Sequence, residues 1–181
     1  MIRLFVALDL PPDVIHSLEK LLAALRPTAR LAWSPLANLH ITTKFIGWWP
    51  EERLEDVKTA LAGVPGPGPL AIGIRGLGFF PNPRAPRVFW CGIEATGLDR
   101  LAADTDRATA ALGVESENRP FSPHLTLARI KERIDMRPLN EAIAALSSLD
   151  FGRYEARSFF LYRSQPGPKG SIYTKLAEFP L

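Results

Sequence analysis

Apolar positions along the chain change period several times, and each change marks a predicted element. Arg3 to Leu8 alternates as a strand does, with successive side chains on opposite faces. Pro11-Pro12-Asp13 then opens a helix to about Leu25, where Val14, Leu18, Leu21, Leu22 and Leu25 recur at helical spacing. Leu31 to Trp33 predicts a short strand, and Leu39 to Ile46 a clearer one rich in β-branched and aromatic residues. A second helix spans Glu51 to Leu61 and is closed by Gly63 and a Pro/Gly-rich turn. Leu70 to Phe80 and Arg87 to Glu94 read as strands joined by the turn-forming loop Pro81 to Pro86. A third helix covers Leu98 to Leu112, a strand covers Ser122 to Ile130, and Asn140 to Leu146 lies in a fourth helix. Tyr154 to Tyr162 and Ser171 to Phe179 close the chain as a pair of strands. Strands and helices alternate through short, hairpin-like connections, which predicts an α+β protein with substantial antiparallel sheet.

Within this pattern one block is echoed. Trp33-Ser34-Pro35 leads shortly into Leu39-His40-Ile41-Thr42, and Phe121-Ser122-Pro123 leads directly into His124-Leu125-Thr126. The chain has three histidines, His16, His40 and His124, and threonine fills only 9 of its 181 positions. Two of three histidines with threonine two residues on has a chance probability of roughly 1%. Two copies do not make a solenoid; they predict two similar lobes facing each other across a cleft.

The chemistry of the echoed tripeptide follows from strand parity. Side chains at i and i+2 share a face, so each histidine has its threonine beside it, while Ile41 and Leu125 point into apolar packing. Imidazole exchanges a proton near neutral pH, and a threonine hydroxyl can hold a phosphoryl oxygen on a stiff strand. Two facing copies would supply one acid, one base and two oxygen clamps, the set that in-line attack on phosphorus requires. The competing readings are two unrelated, half-buried histidines or a zinc site. Zinc needs at least three protein ligands, and neither tripeptide has a carboxylate or cysteine at ligand spacing, so no cofactor is expected.

Composition narrows the setting. Hydrophobic residues at 46% and charged residues at 23% suit a globular chain with a real core rather than a disordered one. The net charge of +3 fits an anionic ligand without demanding one, and arginine supplies 16 of the 22 basic residues. Cys91, the single cysteine, excludes an intrachain disulfide and sits in an apolar run that reads as a buried strand. The first ten residues lack the long apolar segment and cleavage site of a signal peptide, and no stretch approaches a bilayer span, so a cytoplasmic location without membrane contact is expected.

The segments Leu39-His40-Ile41-Thr42-Thr43-Lys44-Phe45-Ile46-Gly47 and Phe121-Ser122-Pro123-His124-Leu125-Thr126-Leu127-Ala128-Arg129 resemble the paired motifs of the two-histidine phosphoesterases. The RNA 2′,3′-cyclic phosphodiesterases, also called 2′-5′ RNA ligases, are the nearest resemblance. It extends through Arg3–Leu8, Pro86–Trp90, Leu161–Ser164 and Gly170–Tyr173. The resemblance implies one bilobal domain over residues 1–181, two pseudo-symmetric and largely antiparallel lobes around a cleft, and helices outside. It implies metal-independent hydrolysis of an RNA terminal 2′,3′-cyclic phosphate to a 2′-phosphate, with reversible 2′-5′ ligation as a further activity, by a monomer. His40 would be the proton donor and His124 the proton acceptor; Thr42, Thr126 and Arg129 would bind the phosphate. Other readings are a phosphodiesterase of small cyclic nucleotides or 2′-5′ oligonucleotides, and a non-catalytic RNA-binding module.

Strand parity adds expectations for the flanks. In an ideal strand Arg129 points away from His124 and Thr126, so it reaches the cleft only if the strand ends, twists or bulges after Thr126. Lys44 shares parity with His40 and Thr42, which places it near the phosphate or in solvent, and Phe45 reads as core. Trp48 and Trp49 fall just beyond the strand, as hydrophobic loop contacts or a base-stacking surface. His16 is expected on the helix surface, without a ligand role.

Overall fold

The computed structural model describes residues 1–181. In chain order the elements are β1 (Ile2–Leu8), α1 (Pro12–Leu25), β2 (Ala32–Trp33), β3 (Ile41–Trp49), α2 (Leu54–Ala62), β4 (Leu70–Phe80) and β5 (Val88–Glu94). They continue with α3 (Leu98–Ala110), β6 (His124–Arg129), α4 (Arg137–Ala144), β7 (Asp150–Ala156), β8 (Ser158–Gly167) and β9 (Gly170–Pro180). One sheet has the order β3-β1-β8-β9 and the other β2-β6-β5-β4-β7, with every pairing antiparallel. This is the expected α+β bilobal architecture, with one His-x-Thr strand in each sheet.

The core explains the helix faces. Val14, Leu18, Leu21, Leu22 and Leu25 are all buried, so α1 lays its apolar stripe on the sheets as the spacing predicted. One apolar cluster of 34 buried residues draws on both sheets, including Leu4, Val6 and Leu8 from β1 and Phe89 and Cys91 from β5. No helix is long and apolar enough to cross a membrane.

Several expectations change. The run from Tyr154 to Tyr162 is not one strand: β7 ends at Ala156 and pairs with β4, while β8 begins at Ser158 and pairs with β1. The chain crosses between sheets at Arg157, and an unbroken alternation of side chains carries no sign of that switch. The first motif strand runs on from Ile41 to Trp49 instead of stopping at Ile46, so Trp48 and Trp49 are strand residues. Trp49 is core, with its indole N–H donating to the Arg53 carbonyl, and Trp48 is exposed. The helix expected from Glu51 begins with a 3-10 turn over Glu51–Arg53, and α2 proper starts at Leu54.

Lys44 is also displaced from its expected place. It is buried at 5% exposure, and its ammonium donates to Asp106 Oδ1 at 2.5 Å and to the Glu115 carbonyl at 2.6 Å. It ties β3 to α3 on the side away from the motif threonine, so it reaches neither phosphate nor solvent. Removing one partner of such a pair strands the other charge in the interior. Asp106→Ala is therefore expected to cost about 3 kcal/mol in urea unfolding, whereas a loss under about 1 kcal/mol would show the pair to be structurally idle.

Candidate active site

One extra residue in each motif strand decides what faces the cleft. In β3, Ala7 pairs with Thr42 and Val6 with Lys44, which leaves Thr43 as a bulge; its hydroxyl donates to the Val6 carbonyl. In β6, Trp90 pairs with Thr126 and Phe89 with Ala128, which leaves Leu127 as the corresponding bulge. Each bulge lies immediately after the motif threonine and reverses side-chain parity beyond it. Arg129 consequently emerges on the face of His124 and Thr126, the condition parity demanded, and it is exposed. By the same offset Phe45 emerges on the face of Thr42 and is 62% exposed, contrary to its expected place in the core. Thr42, Thr126, His40 and His124 are all partly exposed.

The two imidazoles are held in the same way. His40 Nδ1 lies 2.6 Å from the Asn38 carbonyl and His124 Nδ1 2.8 Å from the Ser122 carbonyl, each two residues upstream. A carbonyl only accepts, so both rings carry their proton on Nδ1 and leave Nε2 free for substrate chemistry. His40 packs between Phe5, with ring centroids 4.8 Å apart, and Tyr173, at 5.2 Å; His124 sits edge-on to Phe80 at 5.0 Å. Burial lowers the His40 pKa below its ordinary value, and the positive charge of His124 adds to the lowering. The Asn38 carbonyl and the Asp9 carboxylate oppose it. The strand that follows His40, β3, and the strand that begins at His124, β6, lie against each other across the two sheets. No group of three or more His, Cys, Asp or Glu side chains is placed to hold a metal ion.

Residues that no motif announced complete the surroundings. Asp9 accepts a hydrogen bond from the Tyr162 hydroxyl and pairs with Lys175 at 2.6 Å, while Tyr154 donates to the Asp9 carbonyl. These partners lie at least 145 residues from Asp9 in the chain, so only folding brings them together. Beside His40, Asp9 and Tyr162 help line a recess of about 290 Å³ whose walls are otherwise largely apolar, including Phe5, Leu10, Leu39 and Tyr173. Cys91 is fully buried and its thiol is pushed up to about 12 by burial, as expected of a core cysteine. His16 stays on the helix surface, 3.6 Å from Glu19.

Comparison with known proteins places this geometry in context. A family model described as LigT like Phosphoesterase matches residues 8–90 and 93–173, with one His-x-Thr strand in each stretch. An RNA 2′,3′-cyclic phosphodiesterase of Methanocaldococcus jannaschii is 31% identical over 98% of this chain and 99% of its own length. One from Archaeoglobus fulgidus is 35% identical, again over 98% and 99%. Among solved structures, the protein TT0787 of Thermus thermophilus superposes with a TM-score of 0.81 at 34% identity, covering 99% of this chain and 97% of that one. E. coli LigT complexed with 3′-AMP superposes at 0.80 with 26% identity, covering 99% and 98%.

The lowered His40 pKa has a consequence for stability. Below the unfolded-state value of 6.5 the unfolded chain binds a proton that folded His40 resists, so stability contributed at higher pH is lost as pH falls. Urea midpoints compared at about pH 7.5 and about pH 5.5 should show a larger loss in the wild type than in His40→Gln. Equal losses would contradict the placement of the charge.

Proposed function

The chain belongs to the LigT-like phosphoesterase family, and from that premise we propose that it hydrolyses RNA terminal 2′,3′-cyclic phosphate to a 2′-phosphomonoester. The observation that carries the proposal is the matched pair of imidazoles, each with Nδ1 bonded to a carbonyl and Nε2 free, His40 immediately before and His124 at the start of a strand that presents a threonine.

In this reading the cyclic phosphate lies between the two His-x-Thr strands. The Thr42 and Thr126 hydroxyls donate to its non-bridging oxygens, and Arg129 adds positive charge to the same anion. His124 Nε2 removes a proton from water as the water oxygen bonds to phosphorus. The bond from phosphorus to O3′ breaks in line, and His40 Nε2–H delivers the proton that O3′ needs. The phosphate anion entering beside His40 offsets the burial that otherwise disfavours its imidazolium. The apolar recess next to His40 takes the terminal nucleoside, which brings O3′ to the donor's side of the phosphate. A 5′-hydroxyl of a second RNA in the place of water would give 2′-5′ ligation, and in the reverse reaction the two histidines exchange roles.

Single His40→Ala and His124→Ala variants should each lower turnover of a 2′,3′-cyclic-phosphate oligonucleotide by at least about a hundredfold while remaining folded. Near-normal turnover in either folded variant would remove that histidine from the chemistry. The product should carry its phosphate on the 2′ oxygen, and turnover should survive chelator. A 3′-phosphate product would reverse the leaving group, and metal-restored activity after chelation would replace the acid–base scheme.

A further inference from the structure

β3 presents an unusual surface beyond its threonine. A second irregularity between the Leu4/Gly47 and Phe5/Phe45 pairs makes Ile46 an extra residue, with Gly47 accommodating the turn at φ +81°. Two bulges in one strand convert a three-residue spacing into one face: Thr42, Phe45 and Trp48 stand opposite Ala7, Phe5 and Arg3 in successive same-face rungs of β1. Each rung is two residues of β1, about 6.8 Å. Phe45 and Trp48 are 62% and 64% exposed, so two large aromatic side chains stand in solvent on one face of one strand.

The neighbouring strands repeat the step. The recess beside His40 is lined by Phe5, Tyr162 and Tyr173. A second recess, of about 310 Å³, is lined by Arg3, Trp48, Ser164 and Ser171, and by Gly167 and Gly170 where β8 turns into β9. Arg3, Ser164 and Ser171 each lie two residues from their counterparts Phe5, Tyr162 and Tyr173, so the second recess is the first displaced by one rung on three strands. None of the chain's ion pairs engages Arg3, which is exposed.

We infer that this ladder is the binding track for single-stranded RNA on the 5′ side of the terminal nucleotide, with Trp48 stacking an upstream base and Arg3 holding a backbone phosphate. Phe45 occupies the rung between Thr42 and Trp48. The inference rests on the RNA phosphodiesterase reading for what occupies the first recess. Chemistry selects the occupant: exposed aromatic rings stack any base, an unpaired arginine meets phosphate, and rung spacing lets an extended strand pass from one recess to the next. A lone cyclic nucleotide would use only the first recess, so the track makes chain length a determinant of specificity.

The test compares kcat/KM for a tri-adenylate ending in 2′,3′-cyclic phosphate with that for the cyclic mononucleotide. The wild type should favour the trinucleotide, and Trp48→Ala should reduce the ratio about tenfold while Trp48→Phe keeps most of it. Arg3→Gln should reduce the ratio and flatten the salt dependence of trinucleotide binding by about 0.7 in the log–log slope. Equal efficiency on both substrates in the wild type, or a ratio unmoved by Trp48→Ala, would overturn the track. Anisotropy of a fluorescein-labelled tetra-adenylate ending in 3′-phosphate separates the two readings. Trp48-dependent binding without turnover of either substrate would sustain the track and overturn the catalytic reading, whereas binding indifferent to Trp48→Ala would overturn the track whatever the turnover.

Discussion

Side-chain parity, set by the backbone pairing of the two motif strands, is the constraint on which the cleft depends. A strand that stayed in register would bury Phe45, turn Arg129 away and bring Lys44 toward the phosphate position. The extra residues Thr43 and Leu127 prevent this, and each is anchored on its far side by burial. Their placement directly after Thr42 and Thr126 leaves the pairing of Ile41 and Thr42 in one strand and of His124 to Thr126 in the other regular, with His40 just ahead of β3, and alters only the positions further along the strand. The two lobes therefore share one local device but export different groups from it, an aromatic ring in one sheet and a guanidinium in the other.

The second shared device is the bond from imidazole Nδ1 to the carbonyl two residues upstream. It fixes tautomer and ring orientation together, which a proton-transferring group needs before any substrate arrives. The rings differ in what surrounds them. His40 is enclosed by Phe5 and Tyr173 and senses Asp9, while His124 meets Phe80 at its edge. The proposed reaction asks one ring to give a proton and the other to take it, and unequal surroundings are the usual way two like groups come to differ in role.

Much of this is readable from the residues alone, and the parts that are not share a cause. His40 and His124 stand out because a tripeptide repeats with its lead-in, and the apolar stripe of α1 stands out because helical spacing is local. Phe45, Lys44 and Trp48 escape such reading because a bulge is a two-strand property and leaves little trace in the strand that carries it. One signal does exist: the resemblance puts Arg129 on the phosphate at three residues past Thr126, and the same offset from Thr42 gives Phe45. The switch of sheets at Arg157 and the Asp9, Tyr162 and Lys175 cluster depend on residues far apart in the chain, which no short-range pattern encodes.

The central claim is that two oriented imidazoles address one phosphate. Nitrogen-resolved NMR of the histidine rings tests it most directly, with 3′-AMP as the titrant. Above the titration of both rings, His40 and His124 should each show the Nδ1–H tautomer, and one equivalent of nucleotide should perturb both Nε2 resonances with a single binding curve. Opposite tautomers, or one ring responding while the other stays silent, would contradict the shared site.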